Sequence, residues 1–215
     1  MTTRPPISKG HDMSRIIAGA AGGHPLTSVA TDATRPTTDR VKEALFSRLE
    51  SWDVVKDAVV LDLFAGSGAL GLEAVSRGAA SARLVDQAEA AQTALRKNVT
   101  MVNKAVGRNA AAAVRSSTSS YLATYRGELV TLAFLDPPYP LGEEELAKVL
   151  EALAPHLHED AVIVVERGSR SPAPGWPEGW HQLRERRYGE STLWFAETLE
   201  FDADEDGGGV GAGEA

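Results

Sequence analysis

The sequence predicts an α/β protein built around a mostly parallel β-sheet that helices cover on both faces. Short apolar segments alternate with segments of helical periodicity from residue 58 onward, which is typical of repeated strand–helix units. Several apolar segments, such as 129–135 and 161–166, are almost continuously hydrophobic, as strands buried on both faces are. A glycine-rich loop at 66–71 joins the first such strand to the next helix, as in doubly wound folds. The 215 residues suit one domain of this kind.

The chain is expected to begin with a disordered segment and a small β-hairpin. Residues 1–12 are polar and aperiodic, which predicts disorder. Two short apolar segments flank a glycine-rich turn, so we assign residues 13–36 to an N-terminal β-hairpin extension. A helix then begins at Thr37 or Thr38, either of which can act as its N-cap, and it runs to about residue 51.

The main domain is expected to span residues 37–200 and to end in an antiparallel hairpin. Its earlier predicted elements are a strand at 58–64, a helix at 69–77, a strand at 82–85, a helix at 88–102, a strand at 111–116, a helix at 119–125, a strand at 129–135, a helix at 143–153 and a strand at 161–166. Two further strands at 182–188 and 191–197, joined at Gly189, form the antiparallel hairpin at one edge. The tail at 201–215 has five acidic residues, no basic residue and many glycines, which predicts disorder.

The composition excludes several classes of protein. The chain has no cysteine, which removes disulfides and thiolate chemistry and is compatible with a reducing cytoplasm, where we expect the protein to work. No apolar run is long enough to span a membrane, and residues 1–13 lack the apolar segment of a secretory signal. The five histidines show no metal-ligand spacing, so we expect no metal.

The charge is distributed unevenly along the chain. The net charge of −8 argues mildly against a nucleic-acid binder. Residues 1–48, however, contain seven basic and four acidic residues, and this local excess argues mildly for one. Charge alone therefore leaves the partner open.

A ligand-binding loop is predicted between the first strand and the first helix of the alternation. Gly66 and Gly68 allow a sharp turn and a close approach of the backbone to a ligand, and Gly71 allows the helix to pack closely on the strand. Asp86 ends the second strand, where its carboxylate can accept hydrogen bonds from both hydroxyls of a ribose. An adenosine ribose occurs in dinucleotides and in S-adenosylmethionine, so both cofactors remain open. Asp62, just before the loop, would repel a pyrophosphate and suits the cationic amino or sulfonium group of S-adenosylmethionine.

The tetrapeptide Asp136-Pro137-Pro138-Tyr139 directly follows the fourth predicted strand. The first and fourth strands of a doubly wound sheet are neighbours, so this loop and the glycine loop are expected to face one crevice. The Asp136 carboxylate and the Pro137 carbonyl can each accept an N–H of an exocyclic amino group and so localise its lone pair. The prolines stiffen the loop, and Tyr139 offers an aromatic face on which an extruded base can stack. This pattern favours methyl transfer to the amino nitrogen of a base.

Two segments of the chain resemble the motifs of the S-adenosylmethionine-dependent amino-methyltransferases. The segment at 61–79, which contains the glycine loop, resembles their cofactor motif, and the D-P-P-Y tetrapeptide resembles their catalytic motif. More specifically, R-I-I-A-G at 15–19 followed by R-P-T-T-D-R-V-K-E-A-L-F at 35–46 resembles the bacterial RsmD family of 16S ribosomal RNA guanine-N2 methyltransferases. The resemblance covers residues 13–198, which is almost the whole chain apart from its two tails.

The resemblance implies a seven-stranded, Rossmann-like methyltransferase fold that uses S-adenosylmethionine to methylate one guanine of the small ribosomal subunit. The residues expected to line the cofactor are Thr37, Asp62, Phe64, Gly66, Gly68, Asp86, Gln87, Ser117 and Asp136. The residues expected to act on the guanine are Asp136, Pro137, Pro138 and Tyr139. Basic residues that could contact RNA phosphates are Arg15, Arg35, Arg40, Lys42 and Arg48. Ser117 occupies the position at which such enzymes often carry an Asp or Asn that holds the adenine amino group. The protein is expected to be a monomer.

Two other functions remain open. A DNA adenine or cytosine amino-methyltransferase would share the D-P-P-Y tetrapeptide, but such enzymes usually need a sizeable recognition domain, and only about 75 residues follow Tyr139. A nucleotide-binding scaffold on a degenerate methyltransferase fold is the other possibility, and the intact tetrapeptide argues against it. A further basic patch could include Arg167, Arg170, Arg184, Arg186 and Arg187, but the arginines in the strand 182–188 fall on both faces, so we expect them to be solvated.

Overall fold

The computed structural model describes residues 14–29, 38–138 and 140–198. The expectations for the two ends of the chain, at 1–12 and 201–215, lie outside these residues. Among the helices in the described ranges, none is both long and apolar enough to cross a lipid bilayer.

One mixed sheet of seven strands organises the part of the chain that the structure describes. The strands are β1 (Val59–Leu63), β2 (Ser81–Asp86), β3 (Ala111–Arg115), β4 (Val130–Leu135), β5 (Leu157–Gly168), β6 (Trp180–Tyr188) and β7 (Ser191–Thr198). Their order is β3-β2-β1-β4-β5-β7-β6. Strands β1 to β5 pair in parallel, whereas β7 is antiparallel to both β5 and β6. The predicted Rossmann-like sheet with its antiparallel C-terminal hairpin is therefore confirmed.

The helices lie between the strands in the predicted order. They are α1 (Asp39–Ser51), α2 (Ala69–Ser76), α3 (Glu89–Val106), α4 (Thr118–Thr124) and α5 (Glu143–Leu153). Thr38 caps α1, because its hydroxyl accepts a hydrogen bond from the backbone N–H of Val41 at 3.4 Å. Helix α3 continues past the predicted end at residue 102 and stops where Gly107 takes a φ of 72°. Strand β5 begins at Leu157, four residues earlier than predicted.

The two faces of the sheet carry separate apolar clusters. Helices α1, α2 and α3 and the N-terminal segment cover one face, here called the α1 face, and α4 and α5 cover the other, the α5 face. Alternate residues of each strand belong to opposite faces. Phe134 of β4 and Val164 of β5 lie on the α1 face, and Leu135 and Val165 lie on the α5 face. This alternation decides on which face each polar side chain at the strand ends is placed.

The N-terminal segment forms a hairpin with a shorter ladder than predicted. Arg15 and Pro25 form a single antiparallel bridge, where the sequence predicted two short strands. The bridge consists of hydrogen bonds from the backbone N–H of Ile16 to the carbonyl of His24 at 2.9 Å and from that of Leu26 to the carbonyl of Ser14 at 2.7 Å. The N–H of Gly23 donates to the carbonyl of Ile16 at 2.8 Å and extends the bridge by one further bond. The rest of the segment turns onto α2, and its backbone donors find partners there.

Polar groups of α2 hold the hairpin in place. Glu73 is fully buried, and its carboxylate accepts hydrogen bonds from the backbone N–H groups of Ile17 at 2.7 Å and Ala18 at 3.0 Å. Gly19 has a φ of 79° and lies so close to α2 that a Cβ there would be 1.9 Å from the carbonyl oxygen of Ser76. The Glu73 carboxylate thus accepts the backbone N–H groups of Ile17 and Ala18. Because these donors bond to a side chain instead of a second strand, the ladder of the hairpin is short.

Candidate functional site

The ends of the parallel strands bring the predicted site residues to one edge of the sheet. Strands β1 and β4 are neighbours with Leu63 opposite Leu135, so the loops that follow them leave the sheet side by side. Asp86 ends β2 and Ser117 follows β3, the next two strands at the same edge. The glycine loop and the Asp136 loop therefore share one crevice.

The glycine loop has left-handed backbone conformations at several residues. Phe64 has a φ of 65°, which is strained for an aromatic residue, and Gly66 and Gly68 have φ values of 56° and 82°. A Cβ on Gly66 would meet no atom within 4 Å, so its backbone borders open space in which a ligand can approach. Gly68 is required both by its left-handed φ and by packing against α3, because a Cβ there would lie 2.6 Å from the side chain of Leu95.

Asp62 lies beneath this loop and is almost fully buried. It is 2% exposed, and its carboxylate accepts a hydrogen bond from the backbone N–H of Gly71 at 2.9 Å. A Cβ on Gly71 would lie 2.5 Å from Leu84, which confirms the predicted close packing of helix on strand. Burial raises the pKa of Asp62 to about 7 against the effect of the Gly71 hydrogen bond, and the charge of Asp86 adds to the rise.

Replacing Asp62 by Asn is expected to remove a pH-dependent loss of stability. From about pH 4 to pH 7 the folded protein keeps a proton on Asp62 that the unfolded chain has released, so the free energy of unfolding falls by up to about 4 kcal/mol as the pH rises. The amide oxygen of Asn can still accept the hydrogen bond from Gly71. Urea unfolding between about pH 5 and pH 8 should therefore show a steeper decline for the wild type than for the variant. Parallel pH curves would contradict the raised pKa.

Asp86 connects the glycine loop to the end of β2. One carboxylate oxygen accepts from the backbone N–H of Gly66 at 2.9 Å and the other from that of Ala88 at 2.8 Å. Gln92 of α3 is buried and donates to the carbonyls of Asp86 and Val114, each at 2.9 Å, and so holds the ends of β2 and β3 together. The half-buried carboxylate of Asp86 is thus placed beside the open backbone of Gly66, where a ribose acceptor is expected.

Asp136 lies among other carboxylates at the end of β4. Leu135 pairs with Val165, so Glu166 of β5 lies beside Asp136. Restricted hydration, repulsion from Glu166 and repulsion from Asp62 raise the pKa of Asp136 well above its usual value. Asp136 is nonetheless an exposed residue at the edge of the sheet, so water weakens both the desolvation and the repulsion without reversing the direction of the shift.

The prolines after Asp136 differ in burial. Pro137 is buried, whereas Pro138 is exposed and its carbonyl accepts a hydrogen bond from the backbone N–H of Leu141 at 2.9 Å. This hydrogen bond closes a turn directly after the loop. The fourth member of the tetrapeptide, Tyr139, lies outside the described residues.

The remaining predicted cofactor residues extend along the same edge. Ser117 caps α4, because its hydroxyl accepts from the backbone N–H of Ser120 at 3.2 Å. Its hydroxyl is therefore already engaged, which weakens its assignment as the adenine contact. Gln87 is exposed directly after Asp86. Thr37 lies outside the described ranges.

The structure separates the basic residues that were predicted to contact RNA. Arg15 and Arg40 are exposed. Lys42 is fully buried, and its ammonium donates to the hydroxyl of Ser14 at 3.3 Å and to the backbone carbonyl of Arg15. The prediction that Lys42 contacts RNA is therefore wrong in this structure, since the residue joins α1 to the hairpin. Arg35 is not among the residues described.

One polar residue that shapes the site was not identified from the sequence, and a second was expected to have a different role. The buried amide of Asn98 on α3 donates to the carbonyls of Thr27 at 3.0 Å and Ser67 at 2.9 Å, and so links the hairpin to the glycine loop. Arg167 at the end of β5 was considered for a basic patch, but it is buried, and it donates to the carbonyl of Leu141 at 3.0 Å and so supports the turn after Pro138. Their signal in the sequence is a polar residue inside an otherwise apolar stripe or strand.

A possible metal-ligand group lies away from the crevice. His158, Glu159 and Asp160, near the start of β5, bring three ligand atoms within 4.8 Å of one another. Both acids are exposed, and such groups are common without an ion, so we assign no metal to them.

The crevice has the features needed to hold a cationic adenosine derivative. The backbone of Gly66 borders open space, and Asp86 offers a ribose acceptor. Asp62 beneath the loop and Asp136 beside it are carboxylates, which would repel a pyrophosphate and attract a cation. These observations favour S-adenosylmethionine over a dinucleotide.

Relatives of known family match most of the chain. The profile of the family described as "Conserved hypothetical protein 95" matches residues 14–197. The chain is 39% identical over 186 residues to the Escherichia coli K12 protein named ribosomal RNA small subunit methyltransferase D, covering 86% of this chain and 90% of that protein. It is 34% identical over 181 residues to the putative rRNA methyltransferase YlbH of Bacillus subtilis, covering 81% and 94% respectively.

Solved structures agree with this relationship. The putative methyltransferase yhhF from Escherichia coli has a TM-score of 0.72 at 36% identity and covers 86% of this chain and 97% of that one. A putative methylase from Haemophilus influenzae has a TM-score of 0.68 at 29% identity, with coverages of 87% and 99%. The chain therefore belongs to the conserved hypothetical protein 95 family, which is the RsmD family of methyltransferases.

Proposed function

We propose that this chain transfers a methyl group from S-adenosylmethionine to the exocyclic N2 of a guanine in 16S ribosomal RNA. The observation that carries the proposal is the pairing of β1 with β4, which places the glycine loop beside Asp136. Relatives named ribosomal RNA small subunit methyltransferase D support ribosomal RNA as the substrate. A cytoplasmic location and a monomeric state remain predictions.

The cofactor would be held at the ends of β1 and β2. Gly66 leaves room for a ligand against its backbone, and Asp86 would accept the ribose hydroxyls. Asp62 would add negative charge beneath the cationic part of the ligand, and that cation would favour the ionised form of Asp62. When bound, the cofactor supplies an electrophilic methyl group.

Asp136 and the backbone carbonyl of Pro137 would position the target amino group. The nitrogen of an aromatic amine is a poor nucleophile because its lone pair is delocalised into the ring. Two acceptors that each take one N–H favour a tetrahedral nitrogen, aim its lone pair and stabilise the positive charge that develops on it. Asp136 acts here as an ionised acceptor and does not need to remove a proton first.

Replacing Glu166 by Gln is expected to move the acid limb of the pH–activity profile to lower pH. Activity should rise with pH through the raised pKa of Asp136, because the ionised carboxylate is the better acceptor. Removing the neighbouring charge lowers that pKa, so the variant should retain activity at a pH where the wild type loses it. The measurement is kcat as a function of pH for both proteins, and superimposable profiles would contradict the coupling.

The assembled small subunit is the substrate that we propose, in preference to free RNA. With a net charge of −8, the chain has little capacity to hold free RNA by electrostatic attraction. Ribosomal proteins and folded RNA could instead present the guanine, whose extrusion from the stack costs about a few kcal/mol. Purified 30S subunits should be methylated much faster than naked 16S RNA. Equal rates would overturn the choice of the particle while leaving the guanine chemistry intact.

Mass mapping of ribosomal RNA modifications tests the proposal as a whole. A strain that lacks this gene should lose one N2-methylguanine from 16S RNA. A wild-type copy should restore the modification, and a copy carrying Asp136→Ala should not. An unchanged 16S modification pattern in the deletion strain would overturn the proposed substrate.

DNA is the less favoured substrate. The described residues after Pro138 are used for α5 and for the strands β5, β6 and β7, so they contain no separate domain that could read a DNA sequence. Protection of genomic DNA from restriction after expression of the protein would restore this alternative.

A further inference from the structure

Three arginines lie together where β6 approaches α1, outside the crevice. Arg184 and Arg186 belong to β6, an edge strand of the sheet, and Arg48 belongs to the last turn of α1. Arg184 pairs with Phe195 of β7 and Arg186 pairs with Leu193, and both partners lie in the apolar cluster of the α1 face. Because directly opposed residues share a face, both arginines lie on the α1 face.

A β-bulge produces this arrangement. The register between β6 and β7 shifts just before Arg184, so that Arg184 rather than Leu183 pairs with Phe195. Without the bulge, Arg184 and Arg186 would both lie on the α5 face. Arg187 follows them on that opposite face, which makes it a natural control.

The three guanidinium groups bring three positive charges to one surface. The ion pairs found among the described residues include none of Arg48, Arg184 and Arg186. Arg48 lies instead over the ring of Trp52, 5.8 Å from its centroid. The pKa of Arg184 is lowered by repulsion from Arg186, then by partial desolvation and by Arg48. Such a cluster is unfavourable in the free protein and gains from binding an anion.

The register connects this cluster to the crevice. Glu166 lies beside Asp136 and pairs with Leu193, which in turn pairs with Arg186. Asp136 and Arg186 therefore lie in one row across the sheet, with three steps between neighbouring strands. At about 4.8 Å per step, their backbones are about 14 Å apart. Tyr188 continues the same side of β6 and is half-buried. This distance is suitable for a nucleic-acid backbone whose neighbouring nucleotide enters the crevice.

We propose that Arg48, Arg184 and Arg186, together called the β6 arginine cluster, bind the phosphates of the RNA strand that flanks the target guanine. Arginine suits this role because its planar guanidinium group donates two parallel hydrogen bonds to a phosphate. The inference rests on the proposed function, since it takes RNA as the substrate of the crevice. It assigns RNA binding to an exposed surface at the edge of the sheet, and the buried Lys42 is not part of that surface.

The test compares a double variant, Arg184→Gln with Arg186→Gln, with the single control Arg187→Gln. The substrates are unmethylated 30S subunits for kinetics and a 16S RNA transcript for binding. The double variant should raise KM on the order of tenfold at moderate salt while leaving kcat and the affinity for S-adenosylmethionine unchanged. The slope of log binding constant against log salt should become shallower by about 2, and the control should match the wild type.

The possible results separate this inference from the proposed function. If the wild type methylates RNA but the double variant behaves like the Arg187 control, the β6 arginine cluster is not the binding surface and the proposed function stands. If the wild type methylates no RNA, the proposed function fails, and the salt dependence of transcript binding still decides the role of the cluster. Thermal unfolding checks the fold, and the double variant should be at least as stable as the wild type because it removes repulsion between like charges.

Discussion

Replacing Asp136 by Asn should lower kcat for methyl transfer by about 100- to 1,000-fold in a protein that remains folded. The amide keeps one acceptor but presents an NH2 group where the target amine must donate, so the nitrogen is no longer aimed or stabilised. Folding should not suffer, because the change removes a carboxylate that Glu166 and Asp62 repel. Single-turnover kinetics with saturating RNA and cofactor measures the chemical step directly.

A matched control for this variant is Asp160→Asn, which makes the same chemical change in an exposed residue near the start of β5. It should leave kcat and stability unchanged. An Asp136→Asn protein that retains more than about a tenth of wild-type kcat would contradict the role of the carboxylate in the transition state.

Replacing Glu73 by Gln should destabilise the protein by about 3–5 kcal/mol. The buried carboxylate accepts from Ile17, Ala18 and the guanidinium of Arg77, the last at 2.7 Å. The amide of Gln would direct N–H groups at one of these donors and leave the charge of Arg77 less well compensated. Urea unfolding measures the loss, and hydrogen exchange should show faster opening at the amides of Ile17 and Ala18 than at the core strands.

Glu43→Gln provides the comparison for this prediction. Glu43 also pairs with Arg77, at 3.6 Å, but its side chain is 57% exposed. Exposed pairs contribute about 0–1 kcal/mol, so this variant should be close to the wild type. Equal losses in the two variants would show that the hairpin does not depend on the buried carboxylate of Glu73.

The features of the site that the sequence predicted correctly have local causes. The apolar run at 130–135, which is followed by Asp136 and two prolines, predicts a buried strand that ends in a stiff loop, and the structure shows this strand. Gly71 was expected to allow close packing of helix on strand, and the structure leaves no room there for a Cβ, which would lie 2.5 Å from the side chain of Leu84. In each case neighbouring residues carry the information, because strand period, glycine flexibility and proline stiffness act over a few positions.

Lys42 shows where reasoning from the sequence was incomplete. It lies three and four positions before Leu45 and Phe46, which are both buried, so helical periodicity already placed it on the packed side of α1. Its positive charge favoured a contact with RNA at the surface. A lysine can nevertheless lie in the buried stripe of a helix when a neighbouring segment provides hydrogen-bond acceptors for its ammonium group. Those partners, Ser14 and the carbonyl of Arg15, come from the hairpin and are visible only after folding.

Strand–helix alternation, the order of the two loops and the residue types they carry were determined by the sequence alone, because each depends on contacts between near neighbours in the chain. Only the tertiary structure decided which charged groups are buried and which faces they share. Glu73 meets a backbone donor 56 residues away, and the bulge before Arg184 is defined only against its partner strand β7. Hydrogen bonds and strand register between distant segments form when the chain closes on itself, so no local pattern of residues encodes them.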